Sequence, residues 1–233
     1  SLHDALPISV GAAVRAMKKV LFVCYGSGHV RMVVPVARAL QAAGLAQVQV
    51  LGLTTAAPVV QAAGLPLLQF KDFLLPGDQA ALTLGQELLA DMGAVQDPAE
   101  SAAYLGLCFA ELQAEVGPQE ARARYAQLGR QAFLPVNILR RILQAVQPDL
   151  LVVTNSPRAE RAAVLAAGSI GLPSVCIVDL FAIDEVRWIG APDYAQRVCV
   201  LNEEVKQFLI SAGRKPEQVV VTGNPAFDVL QGP

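Results

Sequence analysis

The stretch K-V-L-F-V-C-Y-G-S-G-H-V-R-M-V-V-P-V-A-R-A-L-Q-A-A-G, residues 19–44, decides the fold class of this chain. Its first part, K-V-L-F-V-C-Y, is a short, continuous apolar run that reads as a strand buried on both faces. Gly26, Ser27, Gly28 and His29 then break the run. A helix is expected over about 30–43, because Val30, Val33, Val34, Ala37 and Leu40 fall on one face and Gly44 supplies a terminating glycine. Pro35 is tolerable if it lies close to the first turn, whose N–H groups lack intrahelical partners. Strand, glycine turn and helix in that order form the opening of an open α/β sheet.

The same alternation continues outward. Strands are expected at 48–53 and 67–70, around a short helix at 56–63 that Gly64 stops. Residues 80–146 lack β-branched runs and are punctuated by Pro98, Gly117, Pro118 and Pro135, so they read as helices. An insertion of that length, placed at about 79–147, exceeds what a crossover needs and is expected to shape a binding surface. Further strands are expected at 149–154, 174–178, 197–201 and 218–222. Ser156 and Pro157 resemble the N-cap and first residue of the next helix, and Asn202 caps a later one. The fold class is therefore α/β, a doubly wound and mainly parallel sheet with a helical insertion. Residues 1–16 fit no element and read as a non-native or disordered leader, and a linker is expected to start at 224–233.

Composition narrows the function classes. A net charge of −2, with no run of basic residues, gives nucleic acid no electrostatic footing. Residues 41–70 carry no charge, but glutamines, prolines and Gly64 interrupt them, so they do not read as a membrane span. Cys24, Cys108, Cys176 and Cys199 form no C-x-x-C pair and read as buried thiols in a reducing, cytoplasmic compartment. With His3 and His29 as the two histidines, no metal site is expected.

The turn at Gly26-Ser27-Gly28 carries the chemistry. Such a turn lies at the carboxyl end of a strand, where open sheets bind ligands, and the helix behind it favours an anion. Its glycines are expected to permit positive φ and close approach of another molecule. A ligand-free tight turn would use the same residues. No lysine follows Gly28, so this is not a P-loop. Arg31 stands where a dinucleotide fingerprint needs its third glycine, and the second strand ends in Leu53-Thr54-Thr55 without a ribose acid. No ATP, NAD or other cofactor is expected. His29, at a helix N-terminus, is suited to act as neutral imidazole and take a proton, or merely to hold the turn by a hydrogen bond.

These residues resemble the opening of GT-B glycosyltransferases, among them the N-acetylglucosaminyltransferase of peptidoglycan synthesis and the plastid galactolipid galactosyltransferases. In that family a strand runs into a G-x-G-H turn and a proline follows in the next helix. The closing stretch C-V-L-N-E-E-V-K-Q-F-L-I-S-A-G-R-K-P-E-Q-V-V-V-T-G-N-P-A-F-D, residues 199–228, is similar to the end of the family's N-terminal domain. The resemblance implies a Rossmann-like, acceptor-side domain of an enzyme that moves a sugar from a nucleotide sugar, with UDP as the expected nucleotide. It implies a C-terminal donor-binding domain outside this chain, so the chain alone is expected to be inactive. A peripheral membrane contact is in keeping with a lipid acceptor. UDP-N-acetylglucosamine 2-epimerases also share the closing V-T-G-N pattern. Their G-T-R-P-E, G-D-T and H-V-E-A-G segments, however, meet Gly26-Ser27-Gly28-His29-Val30, Thr154-Asn155-Ser156 and Ile177-Val178-Asp179-Leu180-Phe181 here. A non-catalytic sugar-nucleotide-binding module is the third reading.

On this basis His29 and Asp179 are the expected catalytic groups, and Gly26, Ser27, Gly28, Asn155, Ser156 and Asn224 the expected substrate contacts. Each has a plainer alternative: Ser156 as an N-cap, Asp179 with Asp184 and Glu185 as solvated loop charge, and Asn224 as a cap. Trp188 and Tyr194 fit either a sugar platform or a core edge.

Overall fold

A computed structural model describes residues 17–90 and 92–230, so the expected leader lies outside the described residues. Strand β1 (Lys18–Cys24) leads into helix α1 (Ser27–Ala42), then β2 (Ala46–Gly52), α2 (Ala57–Ala62) and β3 (Leu67–Leu68). Helices α3 (Gln79–Ala90), α4 (Pro98–Val116), α5 (Pro118–Leu128) and α6 (Val136–Val146) follow. The sheet resumes with β4 (Leu150–Thr154), α7 (Ala159–Ser169), β5 (Ser174–Ile177), α8 (Val186–Ile189), β6 (Arg197–Val200), α9 (Glu203–Ser211) and β7 (Val219–Val221). The seven strands run in the order β3-β2-β1-β4-β5-β6-β7, and every pairing is parallel. The doubly wound class read from the sequence is what forms.

Alternation along β1 explains the layering. Val20, Phe22 and Cys24 face α1 and α2 together with Val48, Val50 and Val152. Leu21 and Val23 face the other way, with Leu51, Leu151, Val153 and Cys176, against α7 and the inserted helices. A strand covered on both faces needs apolar residues at successive positions, which is why K-V-L-F-V-C-Y shows no polar alternation. Burying each of Phe22 and Leu21 contributes roughly 1.5–3 kcal/mol.

Small residues let the insertion pack. Helices α3 and α4 cross at Ala81, Gly85, Ala102 and Gly106; a Cβ on Gly85 would lie 1.9 Å from the Ala102 carbonyl oxygen. Tyr104 of α4 then reaches back to the sheet, its ring centroid 5.8 Å from that of Tyr25 and 5.2 Å from that of Phe70. On the far side, the buried Arg214 guanidinium donates to the carbonyls of Ile189 (3.0 Å), Ala191 (2.7 Å) and Ala195, fixing the loop after α8.

Three local expectations are corrected. Helix α1 begins at Ser27, not near residue 30, because Gly26 is the extended N-cap and the Val30 N–H already bonds its carbonyl at 3.0 Å. Pro35 is therefore a true interior proline, and it leaves the carbonyl of exposed Arg31 without its helical donor. Ser156 does not cap α7, which starts later with Arg158 at the N-cap position. The intervening residues remain in a loop because Asn155 and Ser156 are used elsewhere. By contrast, Asn202 caps α9 as expected, accepting the Val205 N–H at 3.0 Å. Strand 67–70 shortens to Leu67–Leu68, since Phe70 starts a 3₁₀ turn over Phe70–Phe73.

Candidate functional site

The strand order reverses between β1 and β4, and the crevice beyond their carboxyl ends is where open α/β sheets take ligands. Gly26, Ser27 and Gly28 lie on its β1 side. Neither glycine has positive φ, contrary to expectation: Gly26 is extended (φ −129°) and Gly28 is helical. Their use is steric, since a Cβ built on either meets nothing within 4 Å. Helix α1 has no side-chain cap and no acid in its first turn. Its first N–H groups and positive dipole end are therefore not offset by a capping side chain or an acid of its own first turn, a setting suited to an anion.

His29 is the third residue of α1 and is half-buried. Its Nδ1 is buried without a hydrogen-bond partner among the described residues. Across the crevice Glu160, in the first turn of α7, is fully buried. Glu160 Oε1 accepts the Tyr25 N–H at 2.7 Å and the Thr154 hydroxyl at 3.4 Å, while Oε2 lacks a partner in hydrogen-bonding geometry. Burial pushes the Glu160 carboxyl above the usual range; His29, close enough to interact electrostatically, and the Ser156 hydroxyl pull the other way. The buried acid and the imidazole each keep an uncommitted atom, and no hydrogen bond or ion pair among the described residues joins the two.

The remaining expected residues gather beside this pair. Asn155 is fully buried at the end of β4. Its Nδ2 donates to Asp179 Oδ1 at 2.9 Å, and its Oδ1 accepts the Asp179 N–H at 3.1 Å. The same Asp179 oxygen accepts the Leu180 N–H at 2.7 Å. Asn224 donates from Nδ2 to the Asp179 carbonyl at 2.6 Å and accepts the Ala226 N–H at 2.9 Å, so it both caps its turn and ties β7 to β5. Asn155, Asp179 and Asn224 thus form one network. Ser156 belongs to the Glu160 group, and no hydrogen bond or ion pair among the described residues joins Asp179 to His29.

Several expectations resolve elsewhere. Asp184 is exposed and Glu185 half-buried on the following loop. Trp188 and Tyr194 are buried core-edge residues, Trp188 lying beneath Arg161 and Arg187. Cys24, Cys108 and Cys176 are buried and Cys199 is partly so; burial raises all four thiols. Among large apolar side chains in residues 80–146, Leu128 is the exposed one described. No described helix is long and apolar enough to cross a membrane.

Glu160 and Arg158 were missed from the sequence. An acid in the first turn of a helix reads as a complement to the helix dipole, and only the β1–β4 pairing turns it towards Tyr25. The Arg158 guanidinium stacks 4.2 Å from the Tyr25 ring centroid, adding a cation to the crevice.

No protein-family model and no curated protein matches the chain. Solved structures do. A Staphylococcus aureus MnaA–UDP complex aligns at TM-score 0.55 and 15% identity, covering 92% of this chain and 46% of that one. Neisseria meningitidis UDP-GlcNAc 2-epimerase bound to UDP-GlcNAc aligns at TM-score 0.54 and 17% identity, over 91% and 48%. Anabaena HepE in complex with UDP and glucose aligns at TM-score 0.51 and 14% identity, over 89% and 44%. The likeness shows the fold, a Rossmann-like domain of the GT-B type. The chain spans less than half the length of each of these structures.

Proposed function

We propose that this chain is the acceptor-side half of a GT-B glycosyltransferase that moves a sugar from a UDP-sugar to an acceptor hydroxyl. The observation that carries the reading is the His29–Glu160 pair beside the uncapped start of α1. In the proposed mechanism Glu160, near His29 but not bonded to it in this structure, closes onto Nδ1 when substrate binds, keeps that nitrogen protonated and stabilises the cation that forms. The other ring nitrogen then takes the proton from the acceptor hydroxyl as its oxygen bonds the sugar's anomeric carbon. The bond from that carbon to the UDP oxygen breaks, the electron pair leaving with UDP. Gly26, Ser27 and Gly28 offer backbone donors and unobstructed approach to an anionic or hydroxylated group. Asn155, Asp179 and Asn224 brace the opposite rim, with Asp179 assigned to positioning. The donor-binding domain is proposed to be supplied outside these residues, which would leave this half inactive alone.

The wider likeness supports sugar-nucleotide chemistry through structures solved with UDP, UDP-GlcNAc, or UDP and glucose. It supports a UDP-GlcNAc 2-epimerase equally, which is the second reading. The discriminating experiment uses the chain extended by whatever its gene encodes after residue 233. Transfer to an acceptor, lost by about 10²–10⁴-fold in His29→Ala with folding intact, supports the first reading. Near-normal turnover in His29→Ala sinks the base assignment. Epimerised UDP-GlcNAc formed without any acceptor would establish the second reading instead.

A further inference from the structure

Thr54 and Tyr104, both in contact with Tyr25, also line a cavity of about 400 Å³ at the carboxyl end of β2. Its sheet-side wall includes Leu53 and Pro58; its other wall, with Val95 and Arg130, comes from the inserted segment. That volume falls in the usual range of small-molecule pockets, about 300–1,000 Å³.

The polar groups in the wall point to a class of ligand. Tyr104 is 2% exposed, and its hydroxyl is buried without a partner in hydrogen-bonding geometry, beside the Tyr25 phenol. Its neighbours, the Tyr25 phenol and the Cys108 thiol, leave it without a well-aligned bond, so a ligand hydroxyl offers a better partner. Two acids in the wall are already committed. Asp97 pairs with Lys71 at 2.6 Å, and both Glu100 oxygens accept backbone N–H groups, from Phe70 at 3.1 Å and Lys71 at 3.0 Å. Arg130 differs: it donates to Met92 Sδ at 3.6 Å, a weak acceptor, and no described carboxylate lies within ion-pair distance of it. A half-buried guanidinium without a carboxylate suits a carboxylate or phosphate from outside.

We propose that this cavity binds a small hydroxylated ligand carrying one anionic group, which Arg130 pairs while Tyr104 bonds a ligand hydroxyl. Calling that ligand the acceptor rests on the transfer reading above; its binding does not. Thr54 would hold the ligand close to the His29 turn, since its hydroxyl donates to the Tyr25 carbonyl at 2.5 Å.

The test is titration of the 233-residue chain with glucuronate and with glucose 6-phosphate, using glucose as neutral control, followed by calorimetry or amide chemical shifts. At least one anion is expected to bind about tenfold or more tighter than glucose. Arg130→Met should remove that preference, and Tyr104→Phe should weaken every ligand. Gln61→Trp, at an exposed position on the lining, should block entry. If Arg130→Met does not fold, Arg130→Lys and Gln61→Trp still decide the matter. Saturation by the carboxylate alone or the phosphate alone identifies the anion and supports the site. Absence of binding by both anions overturns the proposal, as does equal affinity for glucose or indifference to these substitutions. His29→Gln should leave binding intact, so its loss of turnover in the extended protein reports on the base assignment separately.

Discussion

Glu160 Oε1 accepts the backbone N–H of Tyr25 at 2.7 Å, so a carboxylate from the crossover after β4 fixes the last peptide before the glycine turn of β1. The bond does two things at once. It anchors the end of β1, and it leaves an acid with one unpartnered oxygen near His29. Glu160→Gln separates these roles, because the amide oxygen can still accept from Tyr25 while the negative charge is gone. The melting temperature should then change little. Turnover of the extended protein should fall about 10–100-fold through kcat with KM unchanged, and the acid limb of the pH–rate profile should move. A purely structural glutamate would leave that limb in place.

Gly28→Ala isolates the role of the turn. Gly28 is helical and a Cβ there meets nothing within 4 Å, so the protein itself has no need of glycine. Alanine should stabilise the start of α1 by about 0.5–1 kcal/mol, since glycine is the poorer helix former. If a ligand approaches this backbone, the same change should weaken binding of the nucleotide sugar or acceptor in the extended protein. Higher thermal stability with unaltered binding would return the turn to a purely structural part.

Glu100 should make stability depend on pH. Burial, outweighing its two backbone donors, raises its carboxyl from 4.5 to about 7. The folded protein therefore holds this proton more tightly than the unfolded chain does. The associated stability is complete below about 4.5 and is lost as pH rises to about 7, amounting to roughly 3 kcal/mol. Glu100→Gln, also uncharged at every pH, should flatten the dependence of unfolding free energy between these limits. Parallel wild-type and mutant profiles would show that the carboxyl is not perturbed in this way.

What was legible in the sequence was what repeats locally. The strand of residues 19–25 and the Asn202 cap depend on neighbours a few residues away, and both form, whereas the expected glycine turn is taken up by the start of α1 at Ser27. Ser156 misled for the same reason: its local pattern is that of an N-cap, but its hydroxyl lies close to Glu160 and α7 starts later. Asn155 and Asp179 were read separately as strand-end residues, and their mutual hydrogen bonds arise because β4 and β5 pair in parallel. Glu160 and the Tyr104–Arg130 cavity had no local signal. The first depends on β1 lying next to β4, the second on how the inserted helices fold back over β2.

The fold-back rests on Gly106 and Gly85. A Cβ on Gly106 would lie 1.9 Å from the Ala81 carbonyl oxygen, well inside any tolerable contact. The obstacle is backbone, so trimming Ala81 cannot relieve it; α3 and α4 would have to separate along their length. Overpacking a core costs about 1–3 kcal/mol when side chains can adjust, and here they cannot. Gly106→Ala should therefore cost at least that much of a total that is only about 5–15 kcal/mol for a typical domain. Because α4 also carries Tyr104 and Glu100, ligand binding in the cavity should be lost along with stability. Denaturant unfolding monitored by circular dichroism checks the first effect, and the titrations above check the second. An unchanged midpoint in Gly106→Ala would show that the two helices do not cross this closely in solution.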